Sequence, residues 1–184
     1  MRIFGIDPGS ERTGYGCVES SGSRHHLVIS GCLSAPARSA LPDKLKHIHA
    51  GLSRLLAEHR PECVVVESIF YARNARSALV LGHARGVALL AASEAGLPVF
   101  EYAPAEVKRA VVGFGRAEKH QVQQMIKMLL GLDAEPSPHD VADALAIAIC
   151  HLHNATGPAA ERTAAARTAL APAPRSWRDY RPSR

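Results

Sequence analysis

The chain has 184 residues, of which 47% are apolar and 21% charged, and its net charge is +5. This length suits one domain with a tail, and the composition excludes a chain that is disordered throughout. Its charge-free runs are far shorter than the roughly 18 residues of a membrane-spanning helix, and we find no secretion signal, so we expect a cytoplasmic protein. The four cysteines are widely spaced, which favours core residues over a structural zinc site.

The first part of the chain predicts three short strands that pair as antiparallel hairpins. Each strand is an apolar run, and the turn signals Asp7-Pro8-Gly9-Ser10 and Ser20-Ser21-Gly22-Ser23 separate them. The predicted strands are Arg2 to Asp7, Gly14 to Glu19 and His26 to Ala35.

The following part alternates helical and strand patterns. Leu41 to His59 carries an apolar stripe at helical spacing, and the run Cys63-Val64-Val65-Val66 is typical of a strand that is covered on both faces. Further segments predict helices at Ala75 to Ala95, Pro104 to Val112, Glu118 to Leu130 and Pro138 to His153, and a strand at Pro98 to Tyr102. This order predicts an α/β fold in which a mixed five-stranded sheet, an antiparallel meander plus parallel strands, is flanked by helices.

The last segment, residues 156–184, differs from residues 1–155 in composition. It holds six of the 22 Lys and Arg residues but only two of the 17 Asp and Glu residues, and it is rich in Ala and Pro. We expect residues 1–155 to form the domain and residues 156–184 to be a disordered basic tail. Such a tail either contacts a polyanion or only improves solubility, and the charge alone does not distinguish the two.

Two acidic residues end predicted strands. Asp7 precedes Pro8-Gly9, and taken singly it is best explained as the first residue of a turn. Glu67 ends the run Val64-Val65-Val66, where a carboxylate either marks the exit of the chain into water or faces a ligand at the carboxyl end of a parallel strand.

Two more acidic residues, Asp140 and Asp143, lie three apart at the start of the last helix. With Ser137 as the N-cap and Pro138 as the first helical residue, Asp140 completes a capping box, which is a sufficient structural explanation for it. Asp143 has no such explanation, because it is in line with the apolar Ile147 on the same helix face.

The four carboxylates together suggest a metal site. If the strand ends and the helix pair converge at one edge of the sheet, the negative charges repel each other unless divalent cations neutralise them. Hard oxygen ligands suit Mg²⁺ or Mn²⁺, and two such ions can promote the hydrolysis of a phosphodiester. The sequence permits this convergence but does not require it.

Several stretches resemble the RuvC family of bacterial Holliday-junction resolvases, which are ribonuclease H-like nucleotidyltransferases. Together they cover most of residues 3–155 in order. They are Gly5-Ile6-Asp7-Pro8-Gly9-Ser10, Thr13-Gly14-Tyr15-Gly16, Glu67-Ser68-Ile69-Phe70, Asn74-Ala75-Arg76-Ser77-Ala78-Leu79, Ala84-Arg85-Gly86-Val87-Ala88, Pro98-Val99-Phe100-Glu101-Tyr102-Ala103, Val107-Lys108, Val111-Val112-Gly113, Ala117-Glu118-Lys119 and Asp140-Val141-Ala142-Asp143-Ala144-Leu145-Ala146-Ile147-Ala148.

The resemblance implies a ribonuclease H-like fold and a Mg²⁺-dependent endodeoxyribonuclease with two ions in each active site, for which Mn²⁺ is a substitute. Asp7, Glu67, Asp140 and Asp143 match the metal-binding positions of the family, and Lys119 matches a basic residue near the scissile phosphate. Family members are homodimers that resolve four-way junctions by paired symmetric nicks in recombination and repair. They act with the RuvA and RuvB branch-migration proteins.

Further residues are candidates for DNA contact. By the resemblance, Phe70 matches an aromatic that engages bases at the junction, and Tyr71 follows it; for both, packing against the sheet edge is the alternative. Basic residues near the acidic edge form a second group, although each alone suits a solvated surface: Arg73, Arg76, Lys108, Arg109, Arg116 and Lys119. The apolar helix Ala75 to Ala95 either forms a dimer contact through Ala78, Leu79, Gly82, Gly86 and Leu89 or lies wholly inside the fold.

Two other functions compete with this interpretation. Sugar kinases and actin-like ATPases share a similar opening around Ile6-Asp7, but they need two such domains, and this chain has the length for one. A junction-binding protein without catalysis would keep the basic and aromatic residues but would not need all four carboxylates.

Overall fold

The computed structural model describes residues 1–22, 24–36, 38–68 and 75–156. The predicted tail beyond residue 156 and the connection with Phe70, Tyr71 and Arg73 lie outside the described residues. None of the helices in the described ranges is long and apolar enough to cross a membrane.

One mixed sheet of five strands forms the centre of the fold, and the strand order is β3-β2-β1-β4-β5. β1 pairs antiparallel with β2, and β2 pairs antiparallel with β3, whereas β1, β4 and β5 are parallel. The strands are β1 (Arg2–Asp7), β2 (Arg12–Ser21), β3 (Arg24–Ser34), β4 (Cys63–Glu67) and β5 (Val99–Tyr102). This topology confirms the predicted antiparallel meander joined to parallel strands.

β2 and β3 extend further than their apolar runs predict. The hairpin continues to the pair Ser21 and Arg24, which are both exposed. Hydrophobic periodicity reports burial, whereas backbone pairing continues wherever two strands remain side by side, so polar strand ends escape a prediction based on apolar residues.

Within the described residues, five helices connect and cover the strands. They are α1 (Leu41–His59), α2 (Ala75–Glu94), α3 (Pro104–Val112), α4 (Lys119–Leu130) and α5 (His139–Thr156). The bounds of α1 and α3 are those predicted. The prediction of Ser137 as N-cap is wrong, because α5 begins at His139 and the Pro138 carbonyl accepts the first hydrogen bond, from the Val141 N–H at 3.0 Å.

The two faces of the sheet carry separate hydrophobic clusters, and residues Met1–His153 form one compact unit. Ile3 and Val65 point to the face covered by α3, α4 and α5, whereas Phe4 and Val64 point to the face covered by α1 and α2. β1 and β4 are therefore buried on both faces, as the unbroken apolar run of β4 predicts.

α5 approaches the sheet closely because glycines line the strands beneath it. A Cβ atom on Gly5 would stand 2.0 Å from the Ala144 carbonyl oxygen, and a Cβ atom on Gly14 would stand 2.0 Å from the Asp140 carbonyl oxygen. Backbone therefore contacts backbone, and this contact fixes the position of the first turns of α5 over β1 and β2.

We expect Gly5→Ala to lower the free energy of unfolding by about 2 to 3 kcal/mol, because α5 must move away from β1 to admit a methyl group. Urea denaturation monitored by circular dichroism measures this loss. Gly22→Asn is the matched control: Gly22 has a φ of +62°, which Asn tolerates, and nothing lies within 4 Å of the added Cβ atom. If both variants unfold like the wild type, the helix is not held by this contact.

Candidate nuclease site

Asp7 and Glu67 end two neighbouring parallel strands. Ile6 of β1 pairs with Val66 of β4, so the residues that follow them, Asp7 and Glu67, leave the sheet at the same edge. The strand cores are buried, which fixes the backbone that carries the two carboxylates. The sequence analysis permitted this convergence of the two strand ends without requiring it.

α5 brings Asp140 and Asp143 to that edge. Asp7 pairs with Gly14 across the β1–β2 ladder, and the Asp140 backbone lies directly against Gly14. The first turns of α5 therefore lie beside the end of β1, and the i, i+3 spacing keeps both carboxylates on one helix face.

The four carboxylates act on each other electrostatically. The pKa of Asp7 is raised from 3.8 to about 7. Burial is the largest cause, the negative charges of Glu67, Asp143 and Asp140 add to it, and the positive charge of Lys119 opposes the rise. Burial and the charge of Asp143 also raise the pKa of Glu67. These shifts are the signature of several negative charges held at one partly desolvated place.

Two lysines supply positive charge to this edge. Lys119, the first residue of α4, donates a hydrogen bond from Nζ to Oδ2 of Asp143 at 3.5 Å, and its side chain is 65% exposed. Lys108 of α3 joins Lys119 in lowering the pKa of Glu67 against the effect of burial. The start of α4 is fixed because the Glu118 N–H donates to Gln121 Oε1 at 2.8 Å.

The turn after Asp7 is held by contacts that the sequence analysis did not identify. The buried Thr13 hydroxyl donates to the Gly9 carbonyl at 2.8 Å. The buried Lys44 of α1 forms an ion pair with Glu11 in the same connection. Asp7 therefore leads into a rigid turn, as its sequence predicts, while its carboxylate takes part in the acidic cluster.

The donor set fits a hard divalent cation. All four groups are carboxylates, and their mutual repulsion is the kind that a cation relieves. Among the described residues, no group of three or more His, Cys, Asp or Glu side chains is positioned to hold a metal ion as it stands. Binding an ion here requires the carboxylates to turn toward each other, which Asp and Glu rotamers permit.

Of the predicted DNA-contacting residues within the described ranges, Lys108 and Lys119 act on the carboxylates, and the others lie on the surface of α2, α3 and the connection after α3. Arg76, in the first turn of α2, lines a shallow cleft with Ser10. Arg116 is exposed in the connection between α3 and α4, and Arg109 is exposed on α3. Phe70, Tyr71 and Arg73 lie outside the described residues, so their predicted contacts remain predictions.

The strand order, the helices on both faces and the acidic edge define a protein of the ribonuclease H-like class. Residues 3–151 match the family described as crossover junction endodeoxyribonuclease RuvC. The chain belongs to this RuvC family, whose members are metal-dependent nucleases.

Individual relatives agree with this assignment. The crossover junction endodeoxyribonuclease RuvC of Alkalilimnicola ehrlichii is 56% identical over 165 residues, which are 90% of this chain and 99% of the relative. The Thermus thermophilus RuvC structure is 39% identical, with a TM-score of 0.77 over 84% of this chain and 95% of the other. T. thermophilus RuvC in complex with Holliday junction substrate is 35% identical, with a TM-score of 0.79 over 86% of this chain and 98% of the other.

The raised pKa of Asp7 makes the stability of the metal-free protein depend on pH. The unfolded chain releases this proton near pH 3.8 and the folded chain only near pH 7, so the folded state binds more protons between these values and loses stability as the pH rises. We expect Asp7→Asn, which cannot ionise, to melt at a higher temperature than the wild type at about pH 8 in EDTA, and at a similar temperature at about pH 4. Thermal melts monitored by fluorescence across this range measure the difference. A variant that melts lower than the wild type at about pH 8 would contradict the electrostatic account.

Proposed function

We propose that this chain is a structure-selective endodeoxyribonuclease that resolves four-way DNA junctions by paired symmetric nicks, in recombination and repair. The observation that carries the proposal is the convergence of Asp7, Glu67, Asp140 and Asp143 at one sheet edge in a member of the RuvC family. A solved relative is titled as a complex with Holliday junction substrate, which supports the choice of DNA.

The proposed cofactor is Mg²⁺, two ions in each active site, with Mn²⁺ as a substitute. Asp7, Glu67, Asp140 and Asp143 are the proposed ligands, because carboxylate oxygens suit these cations and four negative charges need more than one positive charge to balance them. When bound, such ions lower the pKa of water and neutralise charge at the scissile phosphate.

The residues of the chain itself have distinct roles in this proposal. Asp7 must lose its proton before it can bind a cation, so its high pKa links metal binding to pH. Lys119 pairs with Asp143 and is mostly exposed, so its ammonium group can turn from the carboxylate to a phosphate of bound DNA. Lys108, Arg76 and Arg116 hold the backbone of the substrate near the edge.

The remaining proposals rest on the resemblance and on composition. Phe70 and Tyr71 contact unpaired bases, with Arg73 on an adjacent phosphate, and RuvA and RuvB are the partner proteins. Residues 1–155 form the nuclease domain, and the basic residues of 156–184 add non-specific affinity for DNA. The proposed substrate places the protein in the bacterial cytoplasm.

We also propose that the chain is a homodimer, because two equivalent strands of a junction call for two equivalent active sites. The observation that supports this is the outer face of α2, where Leu79, Gly82, Gly86 and Leu90 are exposed in one stripe. Nothing lies within 4 Å of a Cβ atom placed on either glycine, so a second helix has room to approach. Leu89, which the sequence analysis placed on this face, instead packs against the core.

We expect Asp143→Asn and Glu67→Gln each to lower the rate of junction nicking by at least about 100-fold, because each removes a proposed metal ligand. Junction binding should stay within a few-fold of the wild type, since these carboxylates repel phosphates. A labelled synthetic four-way junction and a linear duplex, each with and without Mg²⁺, measure both properties.

Asp133→Asn is the matched control, since Asp133 is an exposed carboxylate in the connection between α4 and α5. Full nicking by Asp143→Asn in Mg²⁺ would refute the proposed metal site. A wild-type protein that binds junctions but nicks none in Mg²⁺ or Mn²⁺ would instead indicate a non-catalytic junction-binding protein.

We expect Leu79→Glu to convert the dimer into a folded monomer, because a charge in an apolar contact cannot be solvated there. Leu79 is 66% exposed, so the substitution leaves the core of the protomer intact. Sedimentation velocity at micromolar concentration measures the change. The control is Met128→Glu on α4, which introduces the same charge at an apolar residue that is 75% exposed. This variant should remain dimeric. Loss of the dimer in both variants, or in neither, would place the interface elsewhere.

A further inference from the structure

Phe114 is an exposed aromatic residue in the connection between α3 and α4. The residue is 48% exposed, and glycines flank it on both sides, Gly113 with a φ of +96° and Gly115. Single exposed apolar residues are common on protein surfaces, so exposure alone assigns no role. The position of Phe114 and the anchoring of its backbone distinguish it from such residues.

The connection is anchored on both sides of Phe114. The Gly113 N–H donates to the Arg109 carbonyl at 3.0 Å, which closes α3. A Cβ atom on Gly115 would lie 3.1 Å from the Ala105 carbonyl oxygen, so the chain folds back against the first turn of α3. Ala117 is buried in the core on the other side. The backbone at Phe114 is thus held on both sides, while about half of the residue is exposed to solvent.

This position is close to the acidic edge. Ala105 follows the end of β5, where Tyr102 pairs with Glu67, and Gly115 lies against Ala105. In the other direction, Lys119 is five residues further along the chain, so the Cα atoms of Phe114 and Lys119 are at most about 18 Å apart. One bound DNA strand is long enough to contact both the acidic edge and Phe114.

Basic residues flank Phe114 along the chain. Arg109 and Arg116 are exposed on either side of it in sequence, and Lys108 and Lys119 lie toward the carboxylates. A group of basic residues with an exposed aromatic residue suits binding of a single nucleic-acid strand. The basic side chains can pair with its phosphates, and the aromatic ring can stack on a base.

We propose that Phe114 stacks on an unpaired base of the junction next to the strand held at the acidic edge, and so positions that strand for cleavage. This inference rests on the proposed function and adds a DNA contact to it. In this proposal Phe114 is a positioning residue, because its ring would touch a base and not the reacting phosphate.

The test compares Phe114→Ala, Phe114→Trp and Met128→Ala, all in the full chain. We expect Phe114→Ala to weaken binding of a four-way junction by about 5- to 150-fold, the range of a single base-stacking contact, while its melting temperature is unchanged. Phe114→Trp should restore binding, since it keeps an aromatic face. Met128→Ala removes an exposed apolar side chain at the far end of α4 and should bind like the wild type.

A second measurement identifies the base. Junctions that carry 2-aminopurine at successive positions near the crossover report stacking through fluorescence, and the wild type, but not Phe114→Ala, should quench one position. The inference would be overturned if Phe114→Ala bound the junction as tightly as the wild type. It would also be overturned if the variant lost as much affinity for a linear duplex as for the junction, or if the variant and the wild type gave the same fluorescence at every position. If the wild type nicks junctions in any of these cases, the proposed function stands and only the role of Phe114 fails.

Discussion

The backbone contact between α5 and the first hairpin is the constraint on which the site depends. Gly5 and Gly14 let the helix approach until its carbonyl groups meet the strands, and only this approach brings Asp140 and Asp143 beside Asp7. The four carboxylates repel each other, so packing elsewhere must hold them together. The apolar clusters on both faces of β1 and β4 do this, because they fix the strand ends that carry Asp7 and Glu67.

The lysines near the carboxylates balance this repulsion without closing the site. An ion pair as exposed as that of Lys119 and Asp143 adds little stability, which argues against a mainly structural role for the lysine. Lys44 is buried instead, and it pairs with the exposed carboxylate of Glu11 beside the turn that follows Asp7. One lysine thus stabilises the backbone near the site, and the other stays available to substrate.

Much of this arrangement could be predicted from sequence, since apolar periodicity and turn residues act locally. They located α1 and α3 to the residue, and the apolar line shared by Asp143 and Ile147 singled out Asp143. Long-range contacts were missed: no local pattern pairs Lys44 with Glu11 or shows that Gly14 faces Asp140. The Gly14 and Gly16 spacing within one strand was the available signal, because glycine in a strand often marks a close approach of another backbone. Ser137 was misassigned because capping preferences do not fix the exact first residue of a helix.

In the proposed dimer, the spacing of the two nicks follows from the fold. α2 begins a short distance along the chain after Glu67, and its outer stripe is the proposed contact between protomers, while its buried alanines pack against the sheet that carries the carboxylates. The same helix therefore contacts the catalytic sheet and the partner. A rigid helix in both contacts would fix the distance between the two acidic edges, and only a substrate with two strands at that distance could be cut twice. In the proposed dimer, this fixed separation would contribute to selectivity for a branched substrate in addition to any preference for base sequence.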